Sequence, residues 1–177
     1  MSVKISIIIP CFNSESTLET TLESVFSQDF QEWEAIIVND GSTDTTEEIA
    51  LGWVKKDQRF RYYSKENEGL SKTRNFAILK SEGDYILPLD SDNQLTHNFS
   101  QDAITVFENN KDIGVVYCNA EFFGLKEGIW EVDKFDFEKS LIYNYIDACA
   151  VYRKILWERV GGYDENMPYQ GQEDWSH

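Results

Sequence analysis

Ile5-Ser6-Ile7-Ile8-Ile9-Pro10-Cys11-Phe12-Asn13 is a near-continuous apolar run that breaks into a proline and then polar residues. Such a run reads as a strand covered on both faces and stopped by Pro10, because a half-exposed strand would alternate in polarity. It is too short for a signal peptide or a spanning helix. Outward from it, Leu18, Leu22, Val25 and Phe26 recur at i, i+4, i+7 and i+8, one face of a helix that starts near Ser16. Ala35 to Val38 predicts a second strand, which ends in Asn39-Asp40-Gly41-Ser42. Thr43-Asp44 then opens a helix with Glu47 and Glu48 at the positive end of its dipole. Phe60 to Tyr63 predicts a third strand, Ser64 to Gly69 a loop, and Leu70 to Leu79 a helix carrying Lys72 and Arg74. Tyr85 to Leu89 reads as a strand that runs into Asp90-Ser91-Asp92-Asn93. Strands alternating with helices predict βαβ units and a largely parallel sheet.

Beyond Asn93 the pattern loosens. Ile113 to Tyr117 predicts a fifth strand, Gly124 to Gly128 a turn, Ala148 to Tyr152 a strand, and Lys154 to Val160 a short helix closed by Gly161-Gly162. A further helix is expected to begin at Gln172-Glu173-Asp174. No stop signal follows it, so the sequence reads as a piece of a longer protein.

With 177 residues, 41% of them hydrophobic, the chain suits one domain. Its 32 acidic and 16 basic residues give a net charge of −16, which disfavours binding to nucleic acid or an anionic membrane surface by charge. An acidic ligand would need local counter-charge, from a few Arg or Lys or from a divalent cation. Cys11, Cys118 and Cys149 are odd in number and widely spaced. They suggest neither a disulfide framework nor a zinc site, and a reduced, cytoplasmic setting is expected.

In an open α/β sheet, ligands sit beyond the carboxyl ends of the strands, and those ends are polar here. Strand one delivers Pro10, Cys11, Phe12 and Asn13; strand two Asn39 and Asp40; the fourth strand Asp90, Ser91 and Asp92. Asp and Asn also favour strand-end turns and helix caps, so each residue alone has an ordinary explanation. Asp90 and Asp92 are the sharpest signal, since two carboxylates one residue apart can converge on a hard cation that bridges to phosphate. Neither G-x-G-x-x-G nor G-x-x-x-x-G-K occurs, which removes dinucleotide and P-loop chemistry.

Six blocks in order, Ile7 to Asn13, Val38 to Asp44, Asn67 to Asn75, Leu89 to Asp92, Gly162 to Glu165 and Glu173-Asp174, resemble the family 2 glycosyltransferases of GT-A fold. The resemblance implies an α/β, Rossmann-like, mostly parallel sheet flanked by helices on both faces, with a smaller mixed acceptor-side region. It implies that residues 1–110 form a nucleotide-sugar-binding half and 111–177 the acceptor-side half of one domain. The implied activity is inverting, metal-dependent transfer of a sugar, hexosyl or N-acetylhexosaminyl, from a nucleotide diphosphate sugar to a hydroxyl. A UDP-sugar is the first expectation for the donor, and a glycan or lipid-linked hydroxyl for the acceptor, in polysaccharide or glycolipid synthesis. Peripheral contact with the inner face of a membrane is expected only through residues beyond this chain.

By the same resemblance Asp40 holds the base, and a carboxylate suits the ring N–H of uracil, thymine or guanine, which cytosine lacks. Pro10, Phe12 and Asn13 match the loop against base and ribose, and Arg74 and Asn75 the helix flanking the donor. Arg74 also reads as a surface arginine lying over an apolar face. Asp92 matches the direct ligand of Mn²⁺ or Mg²⁺, and Asp90 its neighbour nearer the ribose or sugar. Asp174 matches the general base that takes the acceptor's proton. Aromatic residues of the second half, among them Trp130, Tyr145, Trp157 and Tyr163, suit either core packing or stacking on sugar faces. His97 reads as an exposed turn residue, and His177 as a remote candidate for acceptor or metal contact. The alternatives are a catalytically silent nucleotide-sugar-binding module and, less well, a sugar nucleotidyltransferase. The latter's glycine-rich loop is missing after strand one.

Overall fold

A computed structural model describes residues 3–124, 127–140, 142 and 145–166. The fold is α/β, with a six-stranded sheet in the order β3-β2-β1-β4-β8-β5. Strands β1 (Ile5–Cys11), β2 (Trp33–Asp40), β3 (Phe60–Lys65) and β4 (Tyr85–Pro88) are mutually parallel. Strand β8 (Val151–Arg153) lies antiparallel to β4, and β5 (Val115–Val116) antiparallel to β8. A separate antiparallel hairpin joins β6 (Ala120–Phe122) and β7 (Gly128–Trp130). No helix among the described residues is long and apolar enough to cross a membrane.

The alternation of side chains in β1 divides the core. Ile5, Ile7, Ile9 and Cys11 pack with Leu18, Leu22 and Val25 of α1 (Leu18–Phe26), Ala50 and Trp53 of α2 (Thr46–Lys56), and Ala103, Ile104 and Phe107 of α4 (Phe99–Asn109). Ile8, Ile36, Val38 and Ile86 face the opposite way, onto Ala77 and Ile78 of α3 (Leu70–Lys80). Trp157 of α6 (Lys154–Val160) packs against that second cluster. With helices on both sides, central strands must be apolar on both faces, which explains the unbroken run in β1.

Pro10 differs from expectation, and Pro88 is tolerated inside a strand for the same reason. Strand β1 does not stop at Pro10 but stays paired with β2 through Cys11, opposite Asn39. The Lys4 carbonyl accepts from Tyr85 N–H and the Ile8 carbonyl from Leu89 N–H, so even-numbered residues of β1 turn their polar groups toward β4. The N–H that Pro10 lacks would point there, beyond the last paired residues, Ile8 and Pro88. By the same alternation Pro88 turns its nitrogen toward β8, whose ladder with β4 covers only Tyr85 and Ile86. Each proline therefore sits where no ladder bond is lost.

Helix α4 was not expected from the sequence, and neither was the single turn α5 (Phe137–Ser140). The expected fifth strand shrinks to Val115–Val116, and the strand expected over Ala148–Tyr152 begins only at Val151. Helix α6 keeps its expected bounds; Gly161, with φ +85°, donates to the Trp157 carbonyl at 3.1 Å and ends it in the left-handed conformation.

Candidate active site

The chain steps from β1 to β2 to β3 in one direction and then returns to place β4 on the other side of β1. The switch point of the sheet therefore falls between β1 and β4, whose carboxyl ends flank the crevice where ligands usually sit in such a sheet. Hydroxyls of Ser14, after β1, and Ser91, after β4, lie 2.8 Å apart across it.

Asp40 continues the face of Ile36 and Val38 and so meets the start of α3. Its Oδ1 accepts from Lys65 Nζ and from the Glu68 N–H at 3.0 Å, and its Oδ2 accepts from the Gly69 N–H at 2.9 Å. A buried carboxylate is stable here because it occupies the positive end of a helix and accepts charge-assisted bonds. One lone-pair direction of Oδ2 is left over by these bonds. Gly41 lets the loop close, since a Cβ there would lie 2.9 Å from the Asn67 backbone nitrogen, and its φ is +78°.

Arg74, one turn into α3, is 1% exposed and donates from Nη2 to Asp90 Oδ1 at 2.9 Å. That burial removes the reading of Arg74 as a surface residue. Asp40 ends β2 and Asp90 follows β4, on either side of β1, and the start of α3 engages the one while Arg74 engages the other. Asp92 is exposed in the turn that follows.

The loop after β1 is held by side chains of the loop after β2. Asn13, in the left-handed region at φ +50°, donates its N–H to Ser42 Oγ at 2.9 Å and accepts from the Thr43 N–H at 2.9 Å. Asp44 accepts from the N–H groups of Glu15 and Thr46 and from the Thr46 hydroxyl, and Glu15 in turn accepts from Thr45. Burial alone would raise the Asp44 pKa, but these bonds outweigh it and hold the carboxyl below its ordinary value. The scaffold leaves Phe12 with 53% of its surface exposed, while Pro10 is buried.

Asn75 behaves differently. Its Oδ1 accepts from Trp157 Nε1 at 3.0 Å and the Tyr163 N–H at 2.9 Å, and its Nδ2 donates to the Tyr163 carbonyl at 2.9 Å and to Glu165 Oε1 at 2.8 Å. All four positions of the amide are filled by protein, so Asn75 clamps α3 to the segment after α6 and has none free for a ligand.

On the far side of the crevice, Cys149 Sγ lies 3.7 Å from Asn93 Nδ2, and its N–H donates to Asp147 Oδ1 at 2.8 Å. Burial, with Asp147 and Asp90 nearby, pushes this thiol well above its ordinary pKa and keeps it protonated. Among the described residues no group of three or more His, Cys, Asp and Glu can hold a metal by itself. Asp90 and Asp92 nonetheless fit Mg²⁺ or Mn²⁺, which take one or two carboxylates and complete their shell with water and substrate phosphate. Glu173, Asp174 and His177 lie outside the described residues.

Residues 6–161 match the family described as Glycosyl transferase family 2. The chain belongs to that family. Among its relatives is an uncharacterized glycosyltransferase of Rickettsia bellii, 40% identical over 167 residues, a match spanning 93% of this chain and 24% of the relative. A second, from Rickettsia typhi, is 30% identical over 178 residues, spanning 93% of this chain and 55% of the relative. The chain thus spans between about a quarter and about half the length of these curated relatives. The fold matches Staphylococcus aureus TarS 1–349 with a TM-score of 0.80 at 24% identity, over 98% of this chain and 53% of that one. It also matches the mannosyltransferase PcManGT of Pyrobaculum calidifontis in complex with GDP-Man and Mn²⁺, with a TM-score of 0.72 at 18% identity, over 94% of this chain and 49% of that one. The GT-A architecture of this family 2 chain is thereby established.

Sequence reasoning missed Lys65, Ser14 and Asp44 as parts of the site. Lys65 was assigned to a loop, yet it is the last residue of β3 and stands opposite Asp40 in the parallel register. An opposite charge at the end of each of two neighbouring strands was the available signal.

Proposed function

We propose that the chain works as an inverting, metal-dependent glycosyltransferase that moves a sugar from a nucleotide diphosphate sugar, a UDP-sugar first, to a hydroxyl of a glycan or lipid-linked acceptor. The observation that carries this is that Asp40, the buried Arg74 with its half-exposed partner Asp90, and the exposed Asp92 all lie at the switch point of the sheet. Supporting it, TarS has been solved in complex with UDP and with UDP-GlcNAc, and PcManGT with GDP-Man and Mn²⁺.

In this reading Phe12 offers its ring to the base, the free position on Asp40 accepts the base N–H, and Asp90, oriented by Arg74, faces the ribose or sugar. Asp92, with Asp90, would hold the divalent cation, which would supply positive charge to the diphosphate leaving group. Such a cation also explains how a chain of net charge −16 takes an anionic donor. Asp174 would accept the proton of the attacking hydroxyl. Residues 1–110 then form the donor half and 111–177 the acceptor side, in a reduced cytoplasmic compartment where the thiols stay free.

The test is transfer from a panel of nucleotide sugars with Mn²⁺ by the protein, beside its Asp174→Asn variant. Donor binding retained with transfer lowered about 100-fold supports the reading. Donor binding with no transfer by the wild-type protein supports a silent binding module instead.

A further inference from the structure

We infer that Lys65 reads the base together with Asp40, donating to the ring carbonyl beside the N–H that Asp40 accepts, so that the pair selects nucleotides whose base carries N–H next to C=O. The inference rests on Asp40 facing the base, as proposed above, and names what completes that recognition.

Lys65 and Asp40 are the last residues of adjacent parallel strands and stand opposite each other in register. Their side chains are only 12% and 7% exposed and are joined directly, Nζ to Oδ1. Both are thus fixed by the sheet, unlike a lysine on a free loop. An ammonium has three protons to donate and no acceptor, whereas a carboxylate only accepts. Besides Asp40, Nζ donates to the Glu66 carbonyl at 3.0 Å and lies 3.2 Å from Glu68 Oε2. Glu68 is the replaceable partner: its side chain is 48% exposed, its contact is the longest of the three, and its carboxylate can return to water. A base carbonyl entering beside Asp40 accepts the Nζ–H that Glu68 gives up, and the proton stays on Lys65.

Neutralising Asp40 does not by itself require a cation. The carboxylate already accepts the Glu68 and Gly69 N–H groups at the positive end of α3. What Lys65 adds is a donor adjacent to an acceptor. Uracil, thymine and guanine present the complementary order, N–H beside C=O. Cytosine and adenine present a ring nitrogen lone pair beside an amino group, which sets lone pair against carboxylate and N–H against ammonium. Sites built on such polar pairs discriminate strongly, because the wrong ligand leaves buried groups unpaired.

The test is calorimetric titration of the chain with UDP, CDP, 2-thio-UDP and 4-thio-UDP at fixed Mn²⁺, for the wild type, Lys65→Met and Lys65→Arg. Wild type should prefer UDP to CDP and lose about tenfold toward one of the two thio analogues, since sulfur is the weaker acceptor. Lys65→Met should lose about tenfold for UDP, or 1.4 kcal/mol, leave CDP unchanged and no longer distinguish that thio analogue. Lys65→Arg should restore most of the preference. Parallel losses for UDP and CDP in Lys65→Met, or wild-type indifference to both thio analogues, would overturn the role of Lys65; the second arm needs no variant to fold. Equal binding of UDP and CDP by the wild type would instead overturn the reading of Asp40 on which the inference stands.

Discussion

Arg74 Nη2 lies 2.9 Å from Asp90 Oδ1, joining residues 16 positions apart and setting a cation that is 1% exposed against a carboxylate that is 33% exposed. A fully buried guanidinium is tolerated only when paired, and a half-exposed carboxylate keeps one side toward the crevice. One contact therefore serves the stability of α3 and the orientation of a donor-facing group.

Arg74→Met, which keeps the volume and removes the charge, is expected to destabilise the fold by about 2 kcal/mol. This is the range for losing a charge-assisted hydrogen bond, discounted for the exposure of Asp90. Arg74→Lys should fall between, because a point charge replaces a rigid fork. Urea unfolding midpoints check this; a midpoint for Arg74→Met equal to wild type would mean that the pair carries no stability.

Asn75→Ala should act on stability alone. It strips partners from Trp157 Nε1 and from both backbone groups of Tyr163, at a cost of about 2 kcal/mol or more. Because the amide has no position free, UDP affinity measured on the folded variant should stay within about twofold of wild type. A large loss of affinity with an unchanged unfolding midpoint would return Asn75 to the donor.

The depressed pKa of Asp44 ties stability to pH. Its contribution is fully present above the ordinary carboxylate value near 3.8 and is lost as pH falls below that through the lower folded value. Asp44→Asn is expected to be less stable at neutral pH and to show a flatter decline below pH 4, about the point where Asp44 begins to protonate in the unfolded chain. Thermal unfolding across that range would test it, and parallel curves for variant and wild type would contradict it.

Metal and base contributions should separate by ligand. Chelation, or Asp92→Ala, is expected to weaken UDP at least tenfold, about 1.4 kcal/mol, and to leave uridine unchanged. Titrations with and without Mn²⁺ that superimpose would remove the cation from the proposal.

Local pattern was enough for the parallel half of this fold. Runs buried on both faces announce β1, β2 and β4, and the apolar stripe Leu18, Leu22 and Val25 announces α1, all within a window of ten residues or so. Helix α4 carries Phe99, Ala103, Ile104 and Phe107 at i, i+4, i+5 and i+8, a helical stripe present in the sequence although the helix was not expected from it. The second half was less legible because its strands are two or three residues long and exist only through their neighbours.

By itself the sequence determined the order of strands and helices, the polar strand ends, and hence the family and the carboxylates Asp40, Asp90 and Asp92. Only the tertiary structure decided what those groups do. Strand register set Lys65 against Asp40, and the passage of α3 across two strand ends buried Arg74 on Asp90. The clamp from α6 to α3 filled the amide of Asn75 with partners more than eighty positions away. Helical and strand periods are properties of neighbouring residues and can be read along the chain. Which donor meets which acceptor is set by strand order and by how the helices cross the sheet, where separation along the sequence carries no distance information.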